Sequence, residues 1–209
     1  MNVSRTLATL TAAAVMALTG CGLPAGDAQQ ALTRAPAAAS WRYPAPRLDQ
    51  GDRPGCGFYA ALQQLNAPGA RITQAQADRM WREFAPQAPS ATRTSDDILK
   101  TVLAKHGVRA IYRTIPTSQA LTEVYRGPLV VSVRYLAGMD DTARDGHWLA
   151  RGALAGYDHA VVLTGYDPKA RRVLLLNQWG RAWGRDGGMW LTAAEWQRLA
   201  ASATVWTLG

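Results

Sequence analysis

Cysteine occurs only at positions 21 and 56 of this 209-residue chain, and histidine only at 106, 147 and 159, so few groups could serve as nucleophile and base. Gly57 to Leu65 reads as a helix that starts at Cys56. A thiol at that position meets the partial positive charge of the first backbone N–H groups, which favours thiolate. His159, in Tyr157-Asp158-His159-Ala160-Val161-Val162, opens an apolar run with the character of a strand. Two neutral amides flank the pair in sequence: Gln50, six residues ahead of Cys56, and Asn177 in Asn177-Gln178-Trp179-Gly180. A thiol, an imidazole and amides are the parts of nucleophilic acyl transfer, which needs a base, an orienter for the base and donors for an oxyanion. His147, in Asp145-Gly146-His147-Trp148, is the competing base, but its loop carries no further chemistry-bearing residue pattern. His106 falls in the last turn of a predicted helix, where the helix dipole alone explains it.

The elements that must position these residues follow from periodicity and caps. Thr73-Gln74-Ala75-Gln76 is a capping box opening a second helix to about Phe84, and Thr94-Ser95-Asp96-Asp97 caps a third that ends at His106 with Gly107 as its stop. After Gly107 the pattern turns to apolar and β-branched runs: Val108 to Tyr112, Leu129 to Tyr135, Ala160 to Tyr166, Val173 to Leu176 and Ala203 to Thr207. Thr192-Ala193-Ala194-Glu195 caps one more short helix. Helices first and strands afterwards predict an α+β fold, a helical lobe against an antiparallel sheet.

The order Gln50, Cys56, His159, Asn177 and the residues around them resemble the papain family of cysteine peptidases. Asp158-His159-Ala160-Val161 before a strand ending in Gly165-Tyr166, and Asn177-Gln178-Trp179-Gly180 followed by Trp183-Gly184, carry the likeness, which covers residues 49 to 68 and 127 to 191. The resemblance implies a papain-like fold with Cys56 as nucleophile, His159 as general base and acid, and Asn177 as orienter of the imidazole. It also implies that Gln50 and the Cys56 backbone N–H meet the oxyanion, that Trp179 shields the His159–Asn177 bond from water, and that thiolate and imidazolium form a resting pair. The sequence departs from the family at Gly57, where a tryptophan is usual, and at Arg53, where a cysteine is usual. Cys56-Gly57 followed by Ala60-Ala61-Leu62 is similar instead to the peptidases that trim double-glycine leaders, although those use aspartate as orienter.

The N-terminus carries a separate signal. Arg5 precedes an apolar or small-residue run from Thr6 to Leu18, too short to span a bilayer, and Leu18-Thr19-Gly20-Cys21 resembles the lipobox of bacterial lipoproteins. That likeness implies a signal peptide over 1–20, a lipid on Cys21, and an Ala/Pro-rich tether over 21–47 ahead of a catalytic domain at 48–209. The expected location is the bacterial cell envelope, at the outer membrane facing the periplasm in a Gram-negative cell. With Cys21 lipidated, Cys56 has no disulfide partner and is either buried or used.

Composition narrows the rest. Lysine and arginine total 23 against 15 acidic residues, giving a formal charge of +8, but the arginines are scattered and only three residues are lysine. No basic stripe interleaved with aromatics is present, which excludes a nucleic-acid partner from the reading. No metal-ligand spacing or phosphate loop occurs, so neither metal nor cofactor is expected. The sequence therefore reads as a peptidase acting on peptide or isopeptide bonds. Its rivals are another acyl transfer on the same constellation (transglutamination, deamidation or cell-wall amide cleavage) and a non-catalytic peptide-binding lipoprotein.

Overall fold

The computed structural model describes residues 46–88, 95–139, 142–143, 145–148 and 152–209. Cys21 and the lipobox lie outside the described residues, as does Thr94. Helix α1 (Cys56–Asn66) is followed by α2 (Gln74–Phe84), α3 (Asp96–Lys105), β1 (Ala110–Ile115), α4 (Thr117–Glu123), β2 (Leu129–Leu136), β3 (Leu154–Asp167), β4 (Arg172–Leu176), β5 (Gly188–Thr192), α5 (Ala193–Leu199) and β6 (Ala200–Leu208). The strands form one antiparallel sheet in the order β1-β6-β2-β3-β4-β5. This is the expected α+β arrangement.

Both faces of the sheet are covered, which is why its central strands read as continuous apolar runs rather than alternating ones. Val130, Ala160, Val162 and Leu176 join α1, α2 and α3 in one core. Val131, Val133, Val161, Leu163 and Leu175 join α4 and α5 in the other. Neighbouring residues of one strand thus serve opposite cores, as the alternation of side chains requires.

Helix α1 crosses the sheet almost completely buried, and its polar residues have structural partners. Gln64 donates from Nε2 to the Trp206 carbonyl at 2.9 Å and accepts at Oε1 from the N–H groups of Trp206 (3.2 Å) and Val130 (3.3 Å), joining β6 to β2. Gln63 accepts from the Leu48 N–H at 2.6 Å, and Asn66 donates to the Pro46 carbonyl at 2.7 Å, so the incoming chain is tied down from residue 46.

The caps at α2 and α5 form as read, with Thr73–Gln76 and Thr192–Glu195 completing reciprocal capping boxes. At α3, Ser95 is the N-cap but makes no side-chain cap bond. Its C-terminus closes through the Gly107 N–H to the Ala104 carbonyl (3.1 Å) and the Val108 N–H to the Leu103 carbonyl (2.9 Å), a Schellman motif. Strand β1 starts at Ala110 rather than Val108, because Val108 is spent on that motif. Helix α4 and strand β5 have no counterpart in the sequence reading. Replacing Gln64 with leucine should destabilise the fold by about 2–4 kcal/mol, since a buried backbone carbonyl and two N–H groups lose a partner. Urea denaturation checks this, and an unchanged midpoint would contradict the bridging role.

Candidate active site

Cys56 is the first residue of α1, and the helix is aimed by what lies just before it. Gly55 is the N-cap, and a Cβ there would run into the Trp81 ring, whose Cη2 would lie 2.8 Å away. Trp81 belongs to α2, so close contact between a glycine and an indole sets where the helix that carries Cys56 begins. Gly55→Ala should cost about 1–3 kcal/mol through overpacking. It should also slow alkylation of Cys56, and Trp81→Leu in the same chain should restore both, as thermal denaturation and site-resolved mass spectrometry would read.

The Cys56 thiol is half-buried and lies near the backbone of Ala160, the residue after His159. Burial pushes the thiol up from its ordinary value, while bonds from the Ala160, Gly57 and Cys56 backbone pull it down without reversing the rise. The lowered thiol implied by the family resemblance is therefore not produced by burial and backbone alone. It requires a cation beside the sulfur.

His159 is 4% exposed and Asn177 is 1% exposed. Asn177 directly follows β4, whose last residue Leu176 pairs with Val162 of β3, the strand that carries His159. His159 Nε2 lies 2.9 Å from Asn177 Oδ1. An amide oxygen only accepts, so Nε2 carries the proton of the neutral imidazole and Nδ1 keeps its lone pair. The Trp179 ring lies over the imidazole, centroids 4.5 Å apart and planes 33° apart. Trp183 meets Trp179 edge-on, and Trp148 meets both His159 and Trp183 edge-on, so indoles wall the ring. Asn177 Nδ2 is buried with no hydrogen-bond partner among the described residues, so the side-chain amide is held by its bond with the imidazole.

Gln50 is buried on the turn that precedes α1. Its backbone N–H donates to the Gln178 carbonyl at 2.8 Å, tying the turn to the segment that carries Asn177 and Trp179. Its Nε2 donates to the Arg53 carbonyl at 2.8 Å, leaving a second N–H on the same nitrogen.

The other histidines are committed elsewhere. His147 Nε2 lies 3.1 Å from Glu195 Oε2, and its ring stacks on Trp190 at 4.0 Å. His106 Nε2 lies 2.8 Å from Glu83 Oε1, joining α3 to α2. Asp158 is exposed and opposite Arg134 in the sheet register. Trp148 is the contributor the sequence reading missed: the residue beside His147, wholly buried, packs against His159. Trp183, partly buried, packs against the second core and also backs Trp179. Among the described residues no group of three His, Cys, Asp or Glu could hold a metal ion.

No family model matches the chain. Its fold is similar to that of xylellain, a cysteine protease from Xylella fastidiosa, at 15% identity over 86% of this chain and 88% of that one, with a TM-score of 0.52. It is similar also to the Carica candamarcensis cysteine protease CMS1MS2, solved in complex with E-64, at 14% identity over 78% and 92% of the two chains, with a TM-score of 0.55. Digestive procathepsin L2 proteinase from Tenebrio molitor larval midgut matches at 16% identity over 78% of this chain and 64% of that one, with a TM-score of 0.59. At such identities the likeness is one of fold, and the fold is papain-like. A stretch of 75 residues is 31% identical to gamete and mating-type specific protein A of Dictyostelium discoideum, covering 36% of this chain. The chain spans only 16% of that curated relative's length.

Proposed function

We propose that the protein is a cysteine peptidase that hydrolyses peptide or isopeptide bonds through a thioester on Cys56. The observation that carries the reading is the buried, indole-covered bond from His159 to Asn177, one residue along the strand from the backbone group that meets the Cys56 thiol. Nδ1 of His159 is the nitrogen left to take the thiol proton. The sulfur attacks the substrate carbonyl carbon, and the carbonyl oxygen becomes an oxyanion met by Gln50 Nε2 and the Cys56 N–H. His159 returns the proton to the departing amine as the C–N bond breaks. Water, deprotonated by the same imidazole, then attacks the thioester and releases the acid and the thiol.

The raised thiol gives this reading a sign that can be checked. Thiolate is the reactive form, so in His159→Ala burial should hold the alkylation limb alkaline of an ordinary free cysteine. In the native chain, an imidazolium at His159 paired with the sulfur should move the limb to the acid side. Iodoacetamide modification of the full chain, followed at the Cys56 peptide across pH, measures both. Coincident profiles would remove His159 as the base, and amide turnover surviving in Cys56→Ala would remove the nucleophile.

The proposed setting is the bacterial cell envelope, with the chain anchored by a lipid on Cys21. The support is the Leu18-Thr19-Gly20-Cys21 run behind an apolar segment. Cys21→Ser should abolish incorporation of labelled fatty acid and leave unprocessed precursor or a chain without lipid. Unchanged labelling and membrane fractionation of the variant would end that assignment.

A further inference from the structure

Arg53 stands between Gln50 and Cys56, and its polar groups close the turn that joins them. The Gln50 carbonyl accepts from the Arg53 backbone N–H at 3.2 Å and from its guanidinium Nη1 at 3.1 Å. In return, the Arg53 carbonyl accepts from Gln50 Nε2 at 2.8 Å and from the N–H of Gly55, the cap of the nucleophile helix, at 2.8 Å. The other arm of the guanidinium, Nη2, lies 3.3 Å from Asp78 Oδ1 on α2. That oxygen also accepts from Tyr59 Oη of α1 at 3.0 Å and from Gln74 Nε2 at 2.9 Å. Gln74 in turn holds both the N–H and the carbonyl of Asp49, each at 2.8 Å, on the far side of Gln50. One carboxylate on α2 thereby gathers the nucleophile helix, the turn ahead of it and the residue before Gln50.

Gln50 itself is weakly determined without this frame. Its Oε1 is buried with no hydrogen-bond partner among the described residues, so the amide's aim rests on the single bond from Nε2 to the Arg53 carbonyl. We infer that Arg53, held by Asp78, is the positioning residue of the oxyanion site, fixing the direction in which the Gln50 amide presents its free N–H. The inference rests on the reading of Gln50 as an oxyanion donor. Stability is not what the pair supplies: its side chains are 36% and 27% exposed, and ion pairs of that exposure contribute little. A guanidinium serves because its fork reaches two acceptors at fixed angles, whereas an ammonium on a flexible stem does not.

The test compares Arg53→Ala, Arg53→Lys and Asp78→Asn in the full chain, labelled with 15N-glutamine, the Gln50 side-chain resonances being assigned by their loss in Gln50→Glu. In the native chain the two Gln50 amide protons should differ in shift and exchange slowly. In all three variants they should converge and exchange faster. Turnover of a fluorogenic peptide amide should fall roughly 10- to 100-fold in kcat with KM unchanged, the scale of a misplaced catalytic group. Alkylation of Cys56 should stay within about twofold of native, since the nucleophile helix keeps its other contacts. Native Gln50 resonances in a folded Arg53 variant would overturn the proposal, as would a matching loss of Cys56 alkylation, which would assign Arg53 to the nucleophile helix as a whole. Should Arg53→Ala not fold, Arg53→Lys and Asp78→Asn carry the same readings. Displaced resonances together with amide turnover that persists in Cys56→Ala would leave the positioning role standing and remove the assigned reaction instead.

Discussion

The bond between His159 and Asn177 sets the geometry on which the rest of the site depends. It joins β3 to the residue just after the neighbouring strand β4, both strands being packed on both faces of the sheet, and it lies beneath the Trp179 ring. A neutral amide can fix one imidazole tautomer without adding charge, and a dry contact is stronger than the same contact in water. The indoles of Trp148, Trp179 and Trp183 therefore act on the chemistry through exclusion of water, although each also fills space in the second core.

Cys56, the proposed nucleophile, is reached from the opposite core. Ala160 faces the helical layer with α1, while its neighbour His159 packs among the aromatics of the other layer. Cys56 and His159 thus come from two separately packed halves that meet at the start of one strand's sheet-covered section. The arrangement carries an electrostatic cost, because burial alone disfavours the thiolate that the proposed chemistry needs. The backbone N–H groups of Ala160, Gly57 and Cys56 offset part of it, and a protonated His159 would supply the remainder.

The parts of the structure that were legible in the sequence are those fixed by local chemistry. Thr73 and Thr192 announced their helices because a capping box is satisfied within four residues. The α+β order and the central strands were legible because long apolar runs leave few alternatives. Strand β5 was hidden because Gly187-Gly188 reads as a turn and only Met189 to Leu191 remain before the capping residue Thr192; its pairing with β4 decides its state. Helix α4 was hidden because only Ala120 and Leu121 are buried, too few to show a period. At the site, Cys56, His159, Asn177 and Gln50 were visible through residue type and the motifs that resemble the papain family. Trp148 and Arg53 were not, since their importance lies in what distant chain segments place beside them. For Trp148 those are His159 and Trp183, and for Arg53 it is Asp78, a residue of the next helix.

The account turns on covalent catalysis at Cys56, and the acyl-enzyme is its most direct witness. The full chain should be mixed with an activated peptide ester, quenched in acid within the first turnover and examined by intact-mass spectrometry with peptide mapping. The account predicts one adduct with the mass of the acyl group, located at Cys56, released by hydroxylamine and absent from His159→Ala at neutral pH. Turnover without such an adduct, or an adduct on any other residue, would contradict it.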